Sequence, residues 1–204
     1  MNVVFDFGGV VFRWKPHEFM ARLLPQHAPD DAATQRLVRY FFQEFGGEWG
    51  EFDRGTIGIG PLAEGIASRT GIELADVHRV IAAVPMELQP VPQTVALMKR
   101  LRERGHRLFF LSNMPASYAD HLESTNAFFE WFEDGVFSSR VQLIKPEPAI
   151  YHSAAERFGV EPAELLFFDD HRPNIEAARA SGWKALHFVS PERCEADLVA
   201  HGLL

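Results

Sequence analysis

The sequence predicts an α/β fold: a Rossmann-like parallel sheet covered by helices, with an α-helical block inserted near its start. Three observations lead there. The chain opens on a β-branched and aromatic run, Asn2 to Phe7, halted by Gly8-Gly9. From about Trp14 to Met86 there is no strand pattern, only helical spacing broken by prolines and glycines. Beyond Pro90, strand-like and helix-like segments alternate to the end.

Each element has a local reason. Asn2 to Phe7 is short and mostly apolar, as a strand buried on both faces must be. Leu23-Leu24, Leu37 to Phe45, Leu62 to Ile66 and Val77 to Val84 are helical stretches, set apart by Pro25, Pro29, Gly46-Gly47, Gly55 and Gly71. Val91, Val95, Met98 and Leu101 share one helical face, which Gly105 ends. A strand from Arg107 to Leu111 and a helix from Pro115 to Asn126 follow, then a strand from Val136 to Ser138. Ile150, Tyr151, Ala154 and Phe158 are the buried face of a helix from Glu147 to Phe158. Leu165 to Phe168 is a strand, and Pro173 and Gly182 frame the next helix. Lys184 to Val189 is the last strand before a C-terminal helix.

The 204 residues are 47% apolar and 24% charged, which suits one domain, or one carrying an insertion, with a sizeable core. Disordered and collagen-like chains are excluded. A net charge of -8 repels polyphosphate backbones, so nucleic acid is not an expected partner. No run approaches the roughly 18 apolar residues that span a bilayer. Met1 to Phe7 lacks the basic-then-apolar order of a secretory signal. With Cys194 as the only cysteine, neither an internal disulfide nor a multi-cysteine metal site can form. A cytoplasmic protein, monomeric or weakly self-associating, is expected.

In open parallel sheets, ligands sit beyond the carboxyl ends of the strands. Asp6 and Gly8-Gly9 follow the first strand, and Ser112-Asn113 the second. Lys145-Pro146 follows the third, and Asp169-Asp170 then Asn174 the fourth. Singly each has a bland explanation: a turn aspartate, a Ser-Asn helix cap, a solvated lysine, an acid pair favouring a helix start. Together they supply one reaction. A carboxylate can attack a phosphate monoester and form an aspartyl-phosphate. At about 4 Å and an effective dielectric near 20, each unit of charge repulsion costs roughly 4 kcal/mol. Mg²⁺ between carboxylates and a phosphate oxygen removes that barrier, a lysine adds positive charge, and a hydroxyl with backbone N–H groups completes the cradle. Asp6, Ser112, Lys145 and Asp170 are that inventory.

These four segments resemble the motifs of the haloacid dehalogenase superfamily, and the resemblance spans essentially the whole chain. Phe5-Asp6-Phe7-Gly8-Gly9-Val10 is similar to the first motif, Leu111-Ser112-Asn113 to the second, and Lys145-Pro146 to the third. The stretch from Phe167 to Asn174 is similar to the fourth. Phe52-Asp53-Arg54-Gly55-Thr56-Ile57 resembles the cap of the epoxide-hydrolase N-terminal and sugar-phosphatase branch. The resemblance implies a core of residues 1–14 and 88–204 with an inserted helical cap over 15–87. It makes Asp6 the nucleophile and a Mg²⁺ ligand, with the Gly8 carbonyl and Asp170 as further ligands. Ser112 and the Asn113 backbone would bind phosphoryl oxygens, Lys145 would neutralise charge, and Asp169 and Asn174 would stand behind the metal. The implied substrate is a small phosphorylated metabolite, a sugar phosphate.

One position departs from the pattern. Most phosphatases of the family carry a second aspartate two residues after the nucleophile, as general acid and base; here it is Gly8. Such help is typically worth about 10²- to 10⁴-fold. Either the leaving group is already good, as in the sugar 1-phosphates cleaved by similar bacterial glucose-1-phosphate phosphatases that carry Gly here, or another group such as His171 substitutes, or turnover is lost and the chain binds a phosphate ligand. Family dehalogenases attack a carbon–halogen bond without metal, lack the acid pair, and have Tyr where this chain has Gly8.

Other chemistries fail on spacing: there is no GxSxG around Ser112, no P-loop and no HExxH. Gly58 and Gly60 form a GxG followed by Pro61 with no strand before it. Cys194 reads as a bystander. Phe45, Trp49 and Phe52 either wall a substrate pocket or form the cap's own core, and the glycines around them predict a mobile segment that closes over phosphate.

Overall fold

The computed structural model describes residues 1–204, the side chain of residue 45 excepted. After β1 (Asn2–Phe5) come five helices: α1 (Pro16–Leu23), α2 (Asp31–Phe42), α3 (Gly47–Arg54), α4 (Ile59–Thr70) and α5 (Leu74–Glu87). The alternating part follows: α6 (Pro92–Glu103), β2 (Arg107–Ser112), α7 (Ala116–Thr125), β3 (Asp134–Phe137), α8 (Ser138–Val141) and α9 (Pro148–Phe158). It closes with β4 (Leu165–Asp169), α10 (Arg172–Ala180), β5 (Lys184–His187) and α11 (Pro191–Ala200). Prolines open α1, α6, α9 and α11, where a missing N–H costs nothing.

All pairings are parallel, in the order β3-β2-β1-β4-β5. Both faces are buried, which is why the strands read as unbroken apolar runs. Val3, Phe5, Leu108, Phe110, Leu166 and Phe168 pack on one face, with aromatic residues from α2 and α3 in the same cluster. Val4, Phe109, Leu111, Leu165 and Phe167 pack on the other, against Ile150, Tyr151 and Phe158 of α9 and Ile175 and Ala178 of α10. The chain builds outward from β1 in one direction through β2 and β3 and in the other through β4 and β5. The crevice where that order reverses, at the ends of β1 and β4, is where ligands bind in such sheets.

The ends of some strands differ from expectation. β1 stops at Phe5: the Asp6 N–H still reaches the Phe168 carbonyl at 2.9 Å, but the Phe7 carbonyl then accepts from Val10, Val11 and Phe12, curling the chain into a turn. β3 starts two residues early, at Asp134, and ends before Ser138, which opens α8. Among the described residues, no helix is long and apolar enough to cross a membrane.

Candidate active site

The polar segments that follow the strands converge. Asp6 leaves β1 almost fully buried, and Asp169, the last residue of β4, is completely so. Between them lies Lys145, 3% exposed rather than solvated. Its ammonium is 2.9 Å from Asp6 Oδ1 and 2.6 Å from Asp169 Oδ2, and it donates to the Leu111 carbonyl at 3.0 Å. The Asn113 side chain fixes the lysine backbone, donating to its carbonyl and accepting from its N–H, both at 2.9 Å. Ser112 and Asn113 are therefore not a helix cap; α7 starts only after Pro115 and has no side-chain cap.

Asp169 has its oxygens occupied. The His171 N–H donates to it at 2.8 Å, and Asn174 Nδ2 donates at 3.1 and 2.9 Å. Asp170 turns the other way. Its carboxyl packs on the turn at Gly9, where an added Cβ would lie 2.3 Å from Asp170 Oδ2 and where φ is +76°. Only glycine fits both demands.

Asp6, Asp169 and Asp170 each offer a carboxylate oxygen, all within 4.8 Å of one another, a group that could hold a metal ion. Burial, offset by Lys145 and reinforced by the two neighbouring aspartates, pushes the Asp6 carboxyl up to about 7. Burial and Asp169 push Asp170 up to about 6. Burial pulls the Lys145 ammonium down, but the Asp169 and Asp6 carboxylates outweigh it and hold it above the usual lysine range. Three carboxylates facing one ammonium leave uncompensated negative charge, and an oxygen-ligated divalent cation suits that donor set.

A cavity of about 180 Å³ opens over the cluster. Asp6, Gly8, Ser112, Asn113, Lys145, Asp170, His171 and Asn174 line its floor. Trp14, Glu44, Trp49, Asp53, Val84 and Leu88, with Met114, Pro115, Tyr118 and Pro146, form the rest of its wall. Trp49 lines the cavity and also packs on Phe42, at a centroid distance of 4.6 Å. Phe52 packs on Trp49 and Tyr118, and Phe45 lies outside the described side chains. Cys194 is buried in the core with its thiol pushed up to about 12 by burial, away from the site.

Trp14, Tyr118 and Asp53 were not singled out as cavity residues by the sequence. Asp53 had a signal: it is four residues after Trp49, so the two share a helix face. The surrounding glycines do not interrupt α3, which runs through Gly50. Its end is also pinned. The Ser138 hydroxyl donates to the Asp53 carbonyl at 2.5 Å, Arg54 pairs with both oxygens of Glu147 at 2.9 and 2.5 Å, and a Cβ on Gly55 would lie 2.8 Å from the Ser139 carbonyl.

The family model of haloacid dehalogenase-like hydrolases matches residues 1–182. The chain belongs to that family. Among curated relatives of the hydrolase, a sesquiterpene phosphatase of Aspergillus oryzae is 26% identical over 189 residues, 91% of this chain and 88% of that protein. A putative phosphatase of Bacillus subtilis is 26% identical over 195 residues, covering 90% and 81%. A haloacid dehalogenase-family enzyme of Bacteroides thetaiotaomicron, solved with magnesium and inorganic phosphate, has a TM-score of 0.70 at 22% identity, covering 91% and 92%. An L-2-haloacid dehalogenase of Xanthobacter autotrophicus also matches, with a TM-score of 0.66 at 20% identity over all of this chain and 84% of that one. These two solved structures share the fold.

Proposed function

We propose that this hydrolase cleaves a small phosphate monoester in a Mg²⁺-dependent reaction through an aspartyl-phosphate on Asp6. The observation that carries the reading is the meeting of Asp6, Asp169 and Asp170 oxygens within 4.8 Å, beside a buried lysine. A dehalogenase aspartate releases a halide and needs no such excess of carboxylates. The named phosphatases among its relatives support the same reading.

Asp6 attacks phosphorus, and the bond from phosphorus to the leaving oxygen breaks on the opposite side. Ser112 and the Asn113 backbone hold phosphoryl oxygens, and Lys145 offsets their charge. Asp6, the Gly8 carbonyl and Asp170 would hold Mg²⁺, which when bound neutralises charge between carboxylates and phosphate. Asp169 and Asn174 keep Lys145 and the metal-facing loop in place. Water then attacks the aspartyl-phosphate, freeing inorganic phosphate and Asp6. Residues 1–14 and 88–204 act as the core, with residues 15–87 as the cap, in a cytoplasmic monomer or weak homo-oligomer.

A sugar phosphate, best an anomeric 1-phosphate, is the proposed substrate, because Gly8 provides no side chain to assist a poor leaving group. A second reading is favoured by the cavity wall itself. Trp14, Trp49, Val84, Leu88, Met114 and Tyr118 suit an apolar alcohol, such as an isoprenoid. A panel of sugar, alkyl and prenyl monophosphates, assayed for phosphate release with Mg²⁺ and with EDTA, tests both. Release with Mg²⁺ that EDTA abolishes is expected. Haloacid turnover that survives EDTA, with no phosphate release, would contradict the reading.

A further inference from the structure

We propose that Asp53, on the cap helix α3, is the general acid that protonates the leaving oxygen, in place of the side chain that Gly8 lacks. The inference rests on the phosphatase reading and widens it to esters with poor leaving groups.

Four observations converge on Asp53. Its side chain lines the cavity together with Asp6, Gly8 and Lys145, yet the residue is only 4% exposed. Among the described residues its carboxyl has no hydrogen-bond or ion-pair partner, and its oxygens are not among the fully buried unpartnered atoms, so they are left to the cavity. Its backbone is held to the core on both sides, by Ser138 at its own carbonyl and by the Arg54–Glu147 pair next to it. Finally, Trp49 and Asp53 bring α3 to the same cavity that Asp6 and Lys145 line.

In an in-line displacement the leaving oxygen departs away from the attacking carboxylate. With Asp6 on the core floor, that oxygen points to the cap side, where Asp53 is the acidic side chain in the wall besides the exposed Glu44. A Cβ at Gly8 would meet nothing within 4 Å, so the core leaves that space open. The groups facing Asp53 are Asp6 and Lys145 from the core and Tyr118 from α7. Burial, offset by Lys145 and reinforced by Asp6, keeps the Asp53 carboxyl protonated well above the ordinary carboxylate range.

The step balances. Asp6 Oδ forms a bond to phosphorus as the ester oxygen leaves with the bonding pair. The Asp53 proton goes to that oxygen, and the alcohol departs neutral. The resulting Asp53 carboxylate then accepts a proton from the water that attacks the aspartyl-phosphate, which restores the acid.

The test uses two esters without hydroxyl groups, 4-nitrophenyl phosphate and n-butyl phosphate, so that a role in binding substrate hydroxyls cannot imitate the result. In Asp53→Asn, kcat/KM for the butyl ester should fall by about 10²- to 10⁴-fold, while the nitrophenyl ester, whose leaving group needs no proton, changes little. Equal losses on both esters, or none on either, would overturn the assignment. If the variant does not fold, aryl phosphates of graded leaving-group acidity serve on the wild-type protein: a shallow dependence of kcat/KM supports proton donation, and a steep one overturns it. Wild-type protein that cleaves the aryl but not the butyl ester also overturns it. Release from neither ester would instead remove the phosphatase reading itself.

Discussion

The Lys145 ammonium stands 2.9 Å from the Asp6 carboxylate, with both side chains buried at the end of the sheet. The pair is more than an ion bridge, because Lys145 also holds Asp169 at 2.6 Å and so joins two motifs across the crevice between β1 and β4. Removing the cation would leave two buried carboxylates facing each other. Lys145→Met should therefore abolish turnover and lower stability by about 3–5 kcal/mol. Urea unfolding that shifts by less than about 1 kcal/mol, the range of an exposed ion pair, would show that the lysine is not buried between its partners.

Cation binding should depend on pH with a defined sign. The folded-state Asp6 carboxyl sits at about 7, above its ordinary value of 3.8, so the folded metal-free chain holds a proton that the unfolded chain has lost. Its contribution to stability is full below about 3.8 and disappears as pH rises towards 7. Asp170, pushed to about 6, acts in the same direction. Mg²⁺ must displace those protons, so its affinity should rise from pH 5.5 to pH 8, along with the thermal stabilisation it gives. Calorimetric titration showing affinity independent of pH would contradict this.

Gly9 is the tightest steric constraint at the site. Gly9→Ala places a methyl 2.3 Å from Asp170 Oδ2 at a φ of +76°. The expected result is a fold that persists with Mg²⁺ affinity reduced at least tenfold, read by the same titration. Unchanged affinity would mean that Asp170 takes no part in holding the cation.

One of the contacts that hold the end of α3 runs through a hydroxyl. Ser138 Oγ donates to the Asp53 carbonyl and accepts from the Met114 N–H at 2.9 Å. Ser138→Ala strands both groups, at a cost of about 1–3 kcal/mol, and should raise hydrogen exchange in residues 47–54. Exchange there unchanged from wild type would place the anchor elsewhere.

Much of this arrangement is legible in the sequence, for physical reasons. The strands declare themselves because both sheet faces are buried: Val4 and Phe109 serve one side while Val3 and Phe110 serve the other. Asp6, Ser112, Lys145 and Asp170 are legible because each follows its strand or loop at the site end of the sheet. What escapes is set by packing between distant segments. The position of Asp53 depends on α3 meeting Ser138, 85 residues away. The burial of Lys145 depends on Asn113 and Asp169, which no local pattern around a Lys-Pro pair reveals. Likewise the glycines near Trp49 predict a weakened helix, whereas α3 runs unbroken from Gly47 to Arg54.

In the proposed reaction Asp6 carries the phosphoryl group between the two displacements. Wild-type protein mixed with 4-nitrophenyl phosphate and Mg²⁺, quenched in acid and digested, should yield a phosphorylated peptide with the group on Asp6. The signal should vanish with EDTA and in Asp6→Asn, which should keep its fold and lose turnover. Phosphate release without modification of Asp6, or comparable turnover by Asp6→Asn, would contradict the account.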